Sequence, residues 1–178
     1  MSNARILANT INSSSQIVVP SGGVNFGTST DGTGTVTGGV LDDYEEGTYV
    51  VNMYDAASGG IASSTQVTGR YTKIGQVVIA SFDAFNDVST SGLTAGNAVN
   101  FTLPFAASST GRSTGTVQLH GVTFPNSTTY VVTSVTDSGS RATLNVCGSG
   151  IADTTVKVQN FETSNDVVNW TLCYRTGA

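Results

Sequence analysis

The sequence predicts an all-β protein: an antiparallel β-sandwich, jelly-roll-like, of about nine short strands preceded by an extended N-terminal arm. Three observations lead there. Only 11% of the 178 residues are charged while 21 are glycine, so the polarity comes from Ser, Thr, Asn and Gln, as in turns and solvent-facing strand positions. From Leu41 onward, short apolar alternations are separated by Gly, Ser, Asn and Asp clusters about every ten residues, the spacing of a sandwich or barrel. No window carries the apolar period of a long amphipathic helix, which argues against an α/β nucleotide-binding fold.

Residues 1–40 read as the arm. Two apolar patches, Ile6-Leu7 and Ile17-Val18-Val19-Pro20, sit among Ser, Asn, Thr and Gly and are followed by a Gly/Thr alternation from Thr28 to Gly39. That is too little apolar surface for a core, and such segments order when a partner supplies contacts. Ile6, Leu7, Ile17, Val18, Val19 and Pro20 are therefore the expected anchoring residues. The first residues hold one basic side chain and no apolar run of signal-peptide length, so no export is expected. No stretch approaches the roughly 20 apolar residues of a bilayer-spanning helix, so no membrane insertion is expected either.

Residues 41–178 read as the β-domain. It opens on Leu41, Asp42, Asp43, Tyr44, Glu45, Glu46, Gly47 and Thr48, with four carboxylates in five positions. Close-set oxygens are what calcium requires, but the spacing matches no calcium loop. The plainer reading is a solvated acidic turn, helical over Leu41–Glu46, in which Gly47 permits the bend and Tyr44 plugs one end of the sandwich. Adjacent Glu45 and Glu46 would face opposite ways in a strand, which excludes them as an acid–base pair on one substrate.

Strands are expected at Thr48–Tyr54, Gln66–Ile74, Gln76–Phe85, Ala98–Leu103, Gly115–His120, Thr129–Thr136, Arg141–Cys147, Thr154–Phe161 and Val167–Arg175. Alternation is clearest at Val77, Ile79, Ser81 and Asp83 and at Val131, Thr133 and Val135, where residues two apart share a face. Gly69, Arg70, Tyr71, Thr72, Lys73, Ile74 and Gly75 read as a hairpin arm with Gly75 at the turn, placing Arg70 and Lys73 to answer the acidic cluster. Phe101-Thr-Leu-Pro-Phe105 ends a strand on proline and closes one end of the core.

Functional classes narrow by exclusion. A net charge of −5 with two lysines, Lys73 and Lys157, leaves no basic face for nucleic acid or anionic lipid. One histidine, His120, and two cysteines, Cys147 and Cys173, make no zinc framework. The cysteines, read on neighbouring strands, are expected as free buried thiols rather than a bridge. With no visible convergence of acid, base and nucleophile, the chain reads as non-enzymatic and free of cofactors and metals. Trp170, with Tyr174, Phe161, Tyr130 and Phe124, offers the material of a sugar-stacking platform, and Trp170 is the candidate glycan contact; core packing is the commoner fate of strand aromatics.

Taken together, Leu41-Asp-Asp-Tyr-Glu-Glu-Gly-Thr48, Gly69-Arg-Tyr-Thr-Lys-Ile-Gly75 and Leu103-Pro-Phe105 resemble a module recurrent in tailed-bacteriophage virion proteins, especially fibre and tailspike-like ones. The arm segment Gln16 to Gly27 and the closing Asn169-Trp-Thr-Leu-Cys-Tyr-Arg-Thr176 are similar to what flanks that module, so the likeness spans most of the chain. One departure is that the module's acidic turn usually leads into Thr-Trp-Thr-Pro, where this chain has Thr48-Tyr49-Val50-Val51. The resemblance implies a short fibre or decoration protein of the virion, assembled in the host cytoplasm. It further implies a homotrimer docked on capsid, neck or tail proteins through residues 1–40, with the β-domain outward and in reach of host surface glycan. The alternative from another class is a carbohydrate-binding receptor-recognition module of a tail fibre.

Overall fold

The computed structural model describes residues 24–25, 40–41, 43–58, 60, 62, 67–86, 88–109, 111–124, 130–135, 139–150, 152–161 and 167–177. The chain divides into two units, Met1–Tyr44 and Glu45–Ala178. In the first, β1 (Val24–Asn25) pairs antiparallel with β2 (Val40–Leu41), Val24 opposite Leu41. The six expected anchoring residues, Ile6, Leu7, Ile17, Val18, Val19 and Pro20, lie outside the described residues, as does Asp42.

The second unit is built from β3 (Tyr44–Val51), β4 (Met53–Asp55), β5 (Val67–Ile74), β6 (Val77–Asn86), β7 (Val99–Thr102), β8 (Ser113–His120), β9 (Tyr130–Val135), β10 (Arg141–Cys147), β11 (Thr154–Thr155) and β12 (Val167–Arg175). Their order is β3-β5-β6-β12-β8-β9-β10-β7-β4, with β11 beside β10. The all-β antiparallel expectation holds, and the two halves of the sandwich are one nearly closed sheet.

Two strands turn the corners. Ser113–Gly115 of β8 pair with β9, whereas Thr116–His120 pair with β12. At the bend, a Cβ on Gly115 would run into the Thr171 carbonyl and the Leu172 Cα, so only glycine lets β8 lie this close to β12. At the opposite corner β3 and β4 are interrupted only at Asn52, whose N–H donates to Thr102 Oγ1 at 3.0 Å and whose carbonyl accepts from the Thr102 N–H at 3.1 Å. Because β3 pairs with β5 and β4 with β7, this one run of chain forms both ends of the strand order.

The core lies between the two halves. Val51 of β3, Val78, Ala80 and Phe82 of β6 and Trp170, Leu172 and Tyr174 of β12 meet Met53, Phe101, Val135, Leu144 and Val146 of the other half. Phe82 stands edge-on to Trp170, with centroids 5.1 Å apart, and lies at 5.9 Å from Phe101, coupling the halves through aromatic contact. Each fully buried side chain of this size contributes about 1.5–3 kcal/mol.

Some sequence expectations are corrected. The described residues of 41–46 form no helical turn: β2 ends at Leu41 and β3 begins at Tyr44, leading into Gly47 and Tyr49, which interlock with β5. Tyr44 is exposed and plugs nothing. The expected strand Thr154–Phe161 is a strand only over Thr154–Thr155; Lys157 and Phe161 make single bridges to Ala98 and Val122 on either side of a 3-10 turn at Val158–Asn160. There the Asn160 side chain accepts the Lys157 N–H at 2.8 Å and donates to the Thr123 carbonyl at 2.8 Å, a local bond that competes with the ladder.

Candidate functional site

The three motifs behind the resemblance come together in one interlocked unit. Across β3 and β5 each glycine makes room for the other strand's tyrosine: the Tyr71 ring lies over Gly47 and the Tyr49 ring over Gly69. The rings pack edgewise at 6.4 Å, and Phe105 of the Leu103-Pro104-Phe105 strand end stands at 88° to Tyr71, 5.1 Å away. Lys73 Nζ sits 5.9 Å from the centre of the Phe105 ring. Tyr174 of β12 locks the unit, donating its hydroxyl to the Phe105 carbonyl at 2.9 Å and accepting the Phe105 N–H at 3.2 Å. Burial pushes the Tyr174 hydroxyl up to about 12 and raises that of Tyr49 further still.

Within the unit the acidic motif is tied in by Tyr71, whose hydroxyl donates to Glu45; that bond raises the tyrosine above its ordinary pKa. Arg70, expected to answer the acidic cluster, forms its ion pair with Asp83 at 3.6 Å. Gly75 adopts φ +55° at the two-residue turn joining β5 to β6, as the hairpin reading requires. Leu41, Asp43, Tyr44, Glu46 and Thr48 lie along β2, β3 and the residues between them, and Glu46 and Thr48 flank Arg70, Ile79 and Ser81 in a shallow groove of about 450 Å³.

The outer face of β5, β6 and β12 sets exposed aliphatic side chains beside charged ones: Arg70, opposite Ser81, pairs with Asp83, and Arg175 lies opposite Val77. Ile74 pairs across to Val77, and Thr72 to Ile79, which in turn pairs with Cys173. Val50, Ile74, Val77 and Ile79 are each between 41% and 49% exposed. Four large aliphatic side chains on one sheet face exceed the scattered apolar exposure of an ordinary surface.

Around the other half, β8, β9, β10 and β11 line a groove of about 470 Å³. Its lining is mostly neutral and hydrogen-bonding: Thr114, Ser134, Thr143, Asn145 and Thr155, with Arg112 and Asp153 as single opposite charges and Tyr130 exposed.

Trp170 is a correction. It is 2% exposed, in the core with Phe161 and Tyr174, so it presents no face to a glycan. Inward alternation on β12 carries it there together with Val168 and Leu172. Of the expected platform only Tyr130 is openly exposed, at 58%. The cysteines are free as expected, but Cys173 is exposed and Cys147 half-buried, and β8 and β9 stand between their strands. Among the described residues no three His, Cys, Asp or Glu side chains gather to hold a metal ion. No described helix is long and apolar enough to cross a membrane.

Sequence reasoning missed Asp55. Fully buried at the end of β4, its carboxylate accepts the N–H groups of Ala57 and Ser58 at 3.0 Å, of Thr94 at 2.8 Å and the Asn97 amide at 2.7 Å. Burial by itself would raise its pKa, but these four donors outweigh it and hold the carboxyl well below the usual range. The signal was present in Asp55-Ala-Ala-Ser58, an Asx-turn pattern.

The chain matches no protein-family model, no curated protein and no solved structure.

Proposed function

We propose that this chain is a non-enzymatic structural protein of a tailed-bacteriophage virion, a short fibre or decoration protein fixed to the particle by residues 1–40 and assembled as a homotrimer. The observation that carries the reading is the interlocked unit of Tyr49, Tyr71, Gly47, Gly69 and Phe105. The motifs resembling virion proteins act on each other as packing partners, and the groove they border is shallow. Their role is to set the β3–β5 register and seal one end of the core, which is what a scaffold module requires. The exposed aliphatic side chains Ile74, Val77 and Ile79 on the outer face of β5 and β6 support association with further copies, since burying them removes apolar surface from water.

Light scattering on the full-length protein tests the assembly, and binding to purified particles lacking the protein tests the attachment. The expected results are three times the chain mass in solution and particle association that is lost when Ile17 and Val18 are both replaced by Asp. A monomer at micromolar concentration overturns the trimer. Undiminished particle association of a chain beginning at Leu41 overturns the anchoring role.

A further inference from the structure

We infer that the groove across β8, β9, β10 and β11 is a binding site for a short neutral saccharide. The groove's volume, about 470 Å³, lies in the range of roughly 300–1,000 Å³ typical of small-ligand clefts. Its floor consists of outward side chains placed side by side by strand register: Ser134 opposite Thr143, Val132 opposite Asn145, and Asn145 opposite Thr155. These groups are already oriented. Asn145 Nδ2 donates to Ser134 Oγ, and Thr143 Oγ1 donates to Asn100 Oδ1 at 3.1 Å. Beyond those bonds the floor keeps the Asn145 carbonyl oxygen as an acceptor and the Ser134 hydroxyl as a donor, a mixed set that matches vicinal hydroxyl groups. One Arg and one Asp leave the groove without net charge, which disfavours phosphate, sulfate and polyanions. Tyr130 supplies an exposed aromatic face beside the polar floor, the complement of the apolar face of a sugar ring. The inference rests on the groove alone and deepens the virion reading by giving the outward domain a ligand.

Cys147 lines the groove and reports its occupancy. In a full-length Cys173→Ser protein, alkylation of Cys147 is followed with a panel of neutral hexose and N-acetylhexosamine disaccharides, a uronic-acid disaccharide and inorganic phosphate. At least one neutral disaccharide is expected to slow alkylation. Tyr130→Ala is expected to weaken that protection about tenfold in concentration, and Thr155→Arg, which fills the groove, to abolish it. Both side chains point away from the core, so an unchanged melting temperature confirms the fold. The inference is overturned if no neutral saccharide protects Cys147, if phosphate or the uronic acid protects it equally, or if protection survives both substitutions. Particle association is read separately, so saccharide binding without attachment would overturn the virion reading and leave this one standing.

Discussion

On β6 and β12 the outward positions include Val77, Ile79 and Cys173, beside Asp83 and Arg175, whereas on β9 and β10 they include Ser134, Thr143 and Asn145, beside Val132. Both sets arise from the same two-residue alternation over the same core, and both belong to one continuous sheet. The first face mixes exposed aliphatics with an ion pair around a shallow groove; the second floors its groove mainly with neutral hydrogen-bonding side chains. The core constrains only the inward half of each strand, leaving the outward half free to serve a different purpose on each side. The cysteines mark the contrast, Cys173 opposite the exposed Ile79 and Cys147 in the polar groove.

The changes with the largest expected effect break the comparison by removing the support both faces share. Trp170→Ala empties a site walled by Phe82 and should cost about 3–5 kcal/mol in denaturant unfolding; assembly and groove protection should fail together, as a structural role requires. Gly115→Ala, which forces β8 off β12, should cost on the order of 1–3 kcal/mol.

Asp55 comes next. Asp55→Ala strands four donors and should lower the melting temperature by roughly 5–10 °C. Its folded pKa lies below the unfolded value of about 3.9, so its contribution is complete above pH 4 and is lost as the pH falls through the folded value. The wild type should therefore lose melting temperature below pH 4 more steeply than Asp55→Asn.

Ile79→Glu sharpens the comparison from one side. It should convert the assembly to monomers in light scattering while changing the monomer's unfolding free energy by less than about 0.5 kcal/mol. Cys173 alkylation should accelerate in that variant, and Cys147 alkylation should not. The smallest effect belongs to Arg70→Ala: its ion pair with Asp83 is exposed on both sides and contributes about 0–1 kcal/mol, decreasing with added salt.

Much of the fold was legible. Arg141–Cys147 and Val167–Arg175 are strands to the residue, and the turn at Gly75 followed from local chemistry. The interlocked unit was half legible: its residues stood out as motifs, but a tyrosine packing over a glycine on a neighbouring strand leaves no mark in either segment. The polar groove left none either, because Thr, Ser and Asn on outward positions read as ordinary solvent-facing strand.

By itself the sequence determined that the chain forms antiparallel strands, where most of them lie, and that little charge is available for polyanionic partners. These follow from local alternation, turn residues and composition. The tertiary structure alone decided which way each strand faces and which strands are neighbours. In Gln76-Val-Val-Ile-Ala-Ser-Phe82 both alternating sets contain large aliphatics, so period alone cannot choose between burying Val78, Ala80 and Phe82 or Val77 and Ile79. That choice is made by partners distant in sequence. Trp170 and Leu172 on β12, inserted between β6 and β8, supply the apolar surface that draws one set inward and leaves the other facing out.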